Sequence, residues 1–170
     1  MYAIPKDERE NYFRGEVGTP YHLSIGAVVF NDKSEILTHY FKRSSLHDLD
    51  DIYILMRETL LPNETLEEAV KRGLKEEFGV IAKMESFIGS LVSHFPGAKE
   101  EVEKTTVYFL CQYVTDITGG RAVIDEESTS ELQWLQPEEL ANKMRKQGER
   151  TGRSDLDESK IVLRAATKLH

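Results

Sequence analysis

The segment at residues 64–80, ETLEEAVKRGLKEEFGV, decides the fold of this chain. Thr65, followed three residues later by Glu68, has the capping-box pattern that begins a helix, and Gly79 is typical of a helix end. Apolar residues recur at every fourth position and form one stripe: Leu66, Val70, Leu74 and Phe78. The segment therefore predicts an amphipathic helix over residues 65–79.

Two features of this predicted helix oppose its stability. Gly73 lies in the helix interior, where glycine is about 1 kcal/mol less favourable than alanine. Glu76 and Glu77 lie in the last turn, where the helix dipole disfavours each acid by roughly 0.3–1 kcal/mol. A divalent cation with oxygen ligands would stabilise both carboxylates. From the helix alone, an ion pair between Glu76 and Arg72, with Glu77 reaching solvent, explains the pattern equally simply.

Composition predicts one soluble domain. The chain has 170 residues, of which 39% are hydrophobic and 31% charged, as expected for a globular protein. The net charge of −8 and the pI near 5.2 disfavour a protein that coats DNA or RNA. No apolar run is long enough to span a membrane, and the first residues lack a signal core, so we expect a cytoplasmic protein without a membrane partner.

Strand and helix patterns alternate along the chain and predict an α/β fold with a mixed sheet and helices on its faces. We predict an N-terminal arm at 1–20 and one domain at 21–170. The predicted strands are 21–30, 35–43, 52–55, 84–95, 105–115 and 131–136. Besides 65–79, the predicted helices are 137–147, which has a proline at its first position, and 157–170, capped by Asp157. Residues 44–51, 57–64 and 96–104 are predicted loops.

The stretch at 53–80 resembles the Nudix box and the residues that precede it. The family's pattern is Gly, five residues, Glu, seven residues, Arg-Glu, an aliphatic, one residue, Glu-Glu, one residue, Gly and an aliphatic. The positions in register here are Glu64, Arg72, Leu74, Glu76, Glu77, Gly79 and Val80. The flanking strands agree in order, so the resemblance covers about residues 22–168. It implies a Nudix-like α/β/α sandwich.

The box departs from the family pattern at two places. Met56, Arg57 and Glu58 replace a Pro-Gly-Gly turn, so that Glu58 stands at the box glycine, and Gly73 stands where a glutamate is expected. In the family, that glutamate and the later pair hold Mg²⁺ or Mn²⁺ around a diphosphate. The resemblance therefore implies a metal site with one carboxylate missing.

Roles for individual residues follow from the same resemblance. Glu76, Glu77 and Arg72 are the expected catalytic residues. Glu76 and Glu77 are expected to ligate the metal, with Glu58 as the substitute ligand. Arg57 and Tyr53 are candidate substrate contacts. Loop acids are further candidate ligands or bases: Glu100, Glu101, Glu103, Glu126 and Glu127.

Family members hydrolyse a nucleoside diphosphate linked to another moiety, so the expected partner is a small nucleotide, and a homodimer is a family-level expectation. Three outcomes stay open: a hydrolase with a rearranged or weakened metal site, an inactive nucleotide-binding protein, and a scaffold. Carboxylates of Glu58, Glu64, Glu76 and Glu77 around one point would favour the hydrolase. A salt bridge from Arg57 or Arg72 filling that point would favour the inactive protein.

Overall fold

The computed structural model describes residues 18, 20–44, 49–97, 99–122 and 129–169. The strands are β1 Tyr21–Phe30, β2 Ile36–Ser44, β3 Leu49–Ile54, β4 Met56–Thr59, β5 Val80–Pro96, β6 Glu101–Asp116 and β7 Glu131–Leu135. The helices are α1 Leu66–Gly73, α2 Pro137–Thr151 and α3 Ser159–Ala166. A π-helical turn, Leu74–Phe78, continues α1, and a 3₁₀ turn, Ser154–Leu156, precedes α3.

The strands form one mixed sheet, as the sequence predicts. Its order is β3-β2-β1-β6-β5, with β7 added to β2 and β4 added to β1. The β1–β6 pair is parallel and the other pairs are antiparallel. One edge of β1 is shared: Val29 and Phe30 pair with β2, whereas Ser24–Ala27 pair with β4. β3 pairs with β2, and β4, which follows it, pairs with β1. The chain therefore passes from beside β2 to beside β1 at Leu55.

Helices cover both faces of the sheet. Ile25 and Ala27 of β1 pack against α1, whereas Val28 packs against α2 and α3, because successive strand residues point to opposite faces. The α/β/α arrangement is thus confirmed. In the described ranges, no helix has the length and apolar character needed to cross a membrane.

Some predicted boundaries were wrong. Met56–Thr59 is a strand that extends into the predicted loop 57–64, because its backbone pairs with β1, although its sequence, MRET, is mostly polar. β3 begins at Leu49, inside the predicted loop 44–51. Pairing between β5 and β6 continues to Pro96 and Glu101, so most of the predicted loop 96–104 is strand.

The C-terminal helices also differ from the prediction. α2 continues to Thr151, where Gly152 ends it in a left-handed conformation. The last helix, Ser159–Ala166, is shorter than the predicted 157–170 at both ends. Its N-cap residue is Glu158, so the predicted cap at Asp157 was wrong, although Asp157 accepts a hydrogen bond from the backbone N–H of Ser159 at 3.0 Å. Most of the predicted arm lies outside the described residues.

The predicted start and end of the box helix are confirmed. Thr65 and Glu68 form both hydrogen bonds of the capping box. Gly79 has a φ of 65° and donates its backbone N–H to Leu74, which ends the helical turn. The left-handed conformation explains why glycine is needed at this position.

Gly73 packs closely against β4. It is buried, and a Cβ atom added there would lie 2.6 Å from Met56 Sδ and 3.1 Å from Glu58 Cβ. Met56 itself is fully buried in the core between the sheet and α1. The thioether therefore takes the space that a larger side chain at position 73 would need.

Glu158 connects three parts of the fold beneath α2 and α3. This buried carboxylate accepts hydrogen bonds from the Tyr108 hydroxyl and, at 2.9 Å, from the backbone N–H of Leu55. Its Oε1 atom lies 3.7 Å from Nε of Arg57. Both carboxylate oxygens are thus used, and the strand junction at Leu55 is held against β6.

We expect Glu158→Gln to destabilise the fold by about 2–4 kcal/mol, because an amide has one acceptor for two donors and removes the charge that compensates Arg57. Urea unfolding measures the change. Glu149→Gln, at an exposed position of α2, is the control and should change stability by less than about 0.5 kcal/mol. Equal effects of the two variants would contradict this role of Glu158.

We expect Gly73→Ala to lower stability by about 1 kcal/mol, because crowding against Met56 exceeds the gain of about 1 kcal/mol from helix propensity. In a Met56→Ala background, the same change should instead raise stability by about 1 kcal/mol. Urea unfolding of the four proteins in this cycle provides the test. A stabilising effect of Gly73→Ala in both backgrounds would show that Met56 does not limit the space.

Candidate active site

Arg72 lies at the point where three glutamates meet. Its Nε and Nη2 atoms bond to the two oxygens of Glu64 at 2.8 and 3.0 Å. Its Nη1 atom lies 3.3 Å from Glu58 and 3.4 Å from Glu76, and Nη2 also donates to the carbonyl of Thr59 at 2.8 Å. Burial alone would lower the pKa of Arg72, but the bonds to Glu64 and the charge of Glu58 raise it. The guanidinium is therefore a permanent internal cation for this cluster.

Glu77 takes part in a different network. Its side chain is buried and accepts a hydrogen bond from His39 Nε2 at 2.9 Å. Burial, and then the charges of Arg121 and Arg57, lower the pKa of His39 to about 3, so its ring is neutral at pH 7. Ser130 Oγ lies 2.7 Å from His39 Nδ1 and accepts from Arg121 at 2.8 Å. Because a carboxylate only accepts, the ring carries its proton on Nε2 and receives the Ser130 hydroxyl proton on Nδ1.

As these side chains stand, the acids do not fit a divalent cation. Three of them surround Arg72, while Glu77 points to His39. Within the described ranges, no group of three His, Cys, Asp or Glu side chains is arranged to hold a metal ion. At residue 73, where the family pattern has a glutamate, an added Cβ atom would lie 2.6 Å from Met56 Sδ. By the criterion set out from the sequence, the Arg72 salt bridges favour the inactive nucleotide-binding protein over the hydrolase.

The two candidate substrate contacts lie on the other face of the sheet. In β4, Glu58 pairs with Ile25 and Arg57 pairs with Gly26, so the side chains of these two neighbours point to opposite faces. Arg57 Nη1 donates to the carbonyl of Asp155 at 2.7 Å, beside α3.

Tyr53 packs on the side of α2. Its ring centre is 4.9 Å from that of Tyr40, and Lys143 Nζ lies 5.1 Å above the ring. Neither Tyr53 nor Arg57 contacts the acids of α1 directly in the described contacts, and their role toward a substrate stays a prediction.

The loop acids are also apart from the α1 cluster. Glu100 and Glu101 line a cleft of about 610 Å³ beside the turn between β5 and β6. Glu100 accepts a hydrogen bond from the backbone of Gly18 at 2.7 Å. Glu103 lies on β6, 3.7 Å from His94. The remaining two, at 126 and 127, lie outside the described residues.

Sequence reasoning missed Met56 and His39 as parts of this site. On β2, His39 lies two residues from both Leu37 and Phe41, so its side chain points to the same face as theirs. This is the buried face toward α1. That alternation was a signal for a buried histidine facing the box helix. No local signal places Met56 against Gly73, because that contact depends on how β4 pairs with β1.

Comparisons with known proteins identify the family and the fold of this domain. The sequence profile of the NUDIX domain matches residues 20–154. The MutT protein from Methanosarcina mazei Go1 is 22% identical, with 78% of this chain and 94% of that chain covered and a TM-score of 0.54. A NUDIX hydrolase from Nitrosomonas europaea is 17% identical, with 87% of each chain covered and a TM-score of 0.58.

At these identities the two solved structures are similar to this chain in fold. A search of curated proteins found no match. The NUDIX profile, however, spans well over half of the 170 residues, from the first strand to the 3₁₀ turn. This chain belongs to the NUDIX domain family.

Proposed function

We propose that this chain is a weak Nudix-type hydrolase of small nucleotide derivatives in which a nucleoside diphosphate is linked to another moiety. The reaction class is supported by membership of the family and by the paired acids Glu76 and Glu77 at the end of α1. The observation that supports reduced activity is Met56, whose thioether would lie 2.6 Å from a Cβ atom at position 73, where the family pattern has a glutamate.

In the family reaction, water attacks a phosphorus atom and a bound divalent cation neutralises the developing charge. Glu76, Glu77 and Glu58 are the residues that would hold Mg²⁺ or Mn²⁺ in this chain. Their described contacts are with Arg72 and His39 instead, so they do not fit the cation without rearrangement. Loss of an electrostatic group at such a site lowers rates by about 10²–10³.

A second candidate is a nucleotide-binding protein without turnover. It is favoured by the position of Arg72, which bonds to or faces three of the four box glutamates and stabilises them without a metal. The two candidates predict different activities for the wild-type chain, so an activity assay separates them. Both predict that Met56 limits the space at position 73.

The test measures release of mononucleotide or phosphate from sugar nucleotides, dinucleoside polyphosphates and oxidised nucleotides, with Mg²⁺ and Mn²⁺. We expect slow turnover in the wild type. The double variant Met56→Ala with Gly73→Glu should raise the rate by about 10–100-fold, because it supplies the carboxylate and the space for it. Gly73→Glu alone should not, because its side chain meets Met56.

Two further variants locate the activity. Glu77→Gln should abolish turnover, whereas Lys71→Gln should not change it, because Lys71 lies on the solvent side of α1 and pairs only with Glu67 among the described residues. Turnover that survives Glu77→Gln would exclude this site. A silent wild type with an active double variant would show that the wild-type chain does not turn these substrates over and would favour the second candidate. Silence in both would reject the hydrolase for these substrates.

A further inference from the structure

Glu76 and Glu77 are neighbours in sequence, but their side chains lie in different surroundings. The side chain of Glu76 is 42% exposed and faces Arg72, whereas that of Glu77 is 7% exposed and faces His39 on β2. A single cation held by both acids would require the two carboxylates to meet at one point. The contacts that hold Glu77 therefore decide whether the pair acts together.

Glu77 is the last member of a directed chain of hydrogen bonds. Arg121 donates from Nη1 to Ser130 Oγ at 2.8 Å and from Nη2 to the Ser130 carbonyl at 2.7 Å. Ser130 Oγ lies 2.7 Å from His39 Nδ1, and His39 Nε2 lies 2.9 Å from a carboxylate oxygen of Glu77. A guanidinium only donates and a carboxylate only accepts. The protons of the chain therefore all point from Arg121 toward Glu77, and the imidazole carries its proton on Nε2.

Burial and ring packing fix the orientation of this imidazole. The side chains of His39, Ser130 and Glu77 are all buried. The centre of the His39 ring lies 5.7 Å from that of Phe41 and 4.7 Å from that of Phe78. Phe78 directly follows Glu77 in the π-helical turn, so the ring packs against the same turn whose carboxylate it binds. The imidazole therefore cannot turn away from Glu77 without disturbing the core.

The donors of the chain lie close to β6 and β7, and the residues after β6 also pack on the end of the box helix. The backbone N–H of Ile117 donates to the Gly79 carbonyl at 2.7 Å. A Cβ atom at Gly79 would lie 2.8 Å from the backbone nitrogen of Arg121. Ser130 immediately precedes β7. The network that holds Glu77 is thus part of the same packing that fixes the helix end.

Recruitment of Glu77 by a cation would break its bond to His39. The Nε2–H group would then be buried without this acceptor, which is unfavourable because a buried donor needs a partner to offset its lost hydration. A cation at the box has to compensate for this loss and also displace Arg72 from Glu58 and Glu76. The contacts of Glu77 therefore disagree with the ligand role that its place in the box implies.

We infer that His39 is a positioning residue that keeps Glu77 out of metal coordination in this chain. Ser130 and Arg121 set the imidazole tautomer that donates to the carboxylate. The inference rests on the proposed function for the location of the cation, and it gives a cause of weak metal binding that is separate from Met56. Met56 limits the space for an additional carboxylate, whereas His39 holds back a carboxylate that is present.

The test is binding of Mn²⁺ to the full chain without substrate, followed by the EPR signal of free Mn²⁺. We expect His39→Phe, which keeps an aromatic ring but lacks the donor, to bind Mn²⁺ about 10-fold more tightly than the wild type, because the released carboxylate is able to join a cation. His39→Gln keeps an N–H donor for Glu77 and should stay within about twofold of the wild type. The matched control is His94→Phe, on β5 beside Glu103, which should also stay within about twofold.

The variants are chosen so that each result supports or overturns the inference. Equal binding by the wild type and His39→Phe would overturn it. Equal tightening by His39→Phe and His39→Gln would also overturn it, because ring packing and not the hydrogen bond would then hold Glu77. The double variant His39→Phe with Glu77→Gln should lose the gain, and a gain that persists there would contradict the role of Glu77. None of these measurements requires turnover, so absence of hydrolysis would reject the proposed function alone.

The wild-type chain gives a second test, which covers the case in which a variant does not fold. NMR of the imidazole nitrogens distinguishes the protonated nitrogen from the unprotonated one and so reports the His39 tautomer. We expect the Nε2–H tautomer, with resonances that stay unchanged at the Mg²⁺ concentration of the turnover assay. Protonation on Nδ1, or a change of the His39 resonances when Mg²⁺ is added, would overturn the inference.

Discussion

The packing of Met56 against Gly73 is the constraint on which the geometry of the box depends. The thioether fills the space beside α1, so position 73 accepts no Cβ without movement of a buried side chain. The contact joins β4 to α1 and thereby sets where Arg72 and the following acids stand. A residue that destabilises a helix in isolation thus matches the close packing around it.

The acids of this region are stabilised by internal partners. Arg72 holds Glu58, Glu64 and Glu76, and the neutral ring of His39 donates to Glu77. These contacts explain how α1 tolerates two acids in its last turn, where the helix dipole is unfavourable. They also mean that an external cation has to compete with a guanidinium whose charge is permanent, which is the physical reason to expect weak metal chemistry.

Much of the fold followed from local sequence patterns. The capping box, Gly79 and the apolar stripe predicted the box helix, and β-branched and aromatic residues predicted β1 and β6. β4 could not be predicted this way, because four mostly polar residues form a strand only through pairing with β1. Spacing found the candidate acids and the pair of Arg72 with Glu76. The contacts of Arg72 with Glu58, of His39 with Glu77 and of Met56 with Gly73 join distant segments, so spacing could not predict them.

Side chains alternate between the two faces of the sheet along β4. The replacement of the family's Pro-Gly-Gly turn by Met56, Arg57 and Glu58 therefore has a separate effect on each face. Met56 and Glu58 point to the α1 face, where they fill the space at Gly73 and add a carboxylate to Arg72. Arg57, between them, points to the opposite face, where it donates to the carbonyl of Asp155 and lies 3.7 Å from the buried carboxylate of Glu158. The same short strand therefore crowds the box helix on one face and connects to the 3₁₀ turn and the start of α3 on the other. A change at Met56 or Glu58 and a change at Arg57 consequently act on different layers of the fold, although the residues are neighbours in sequence.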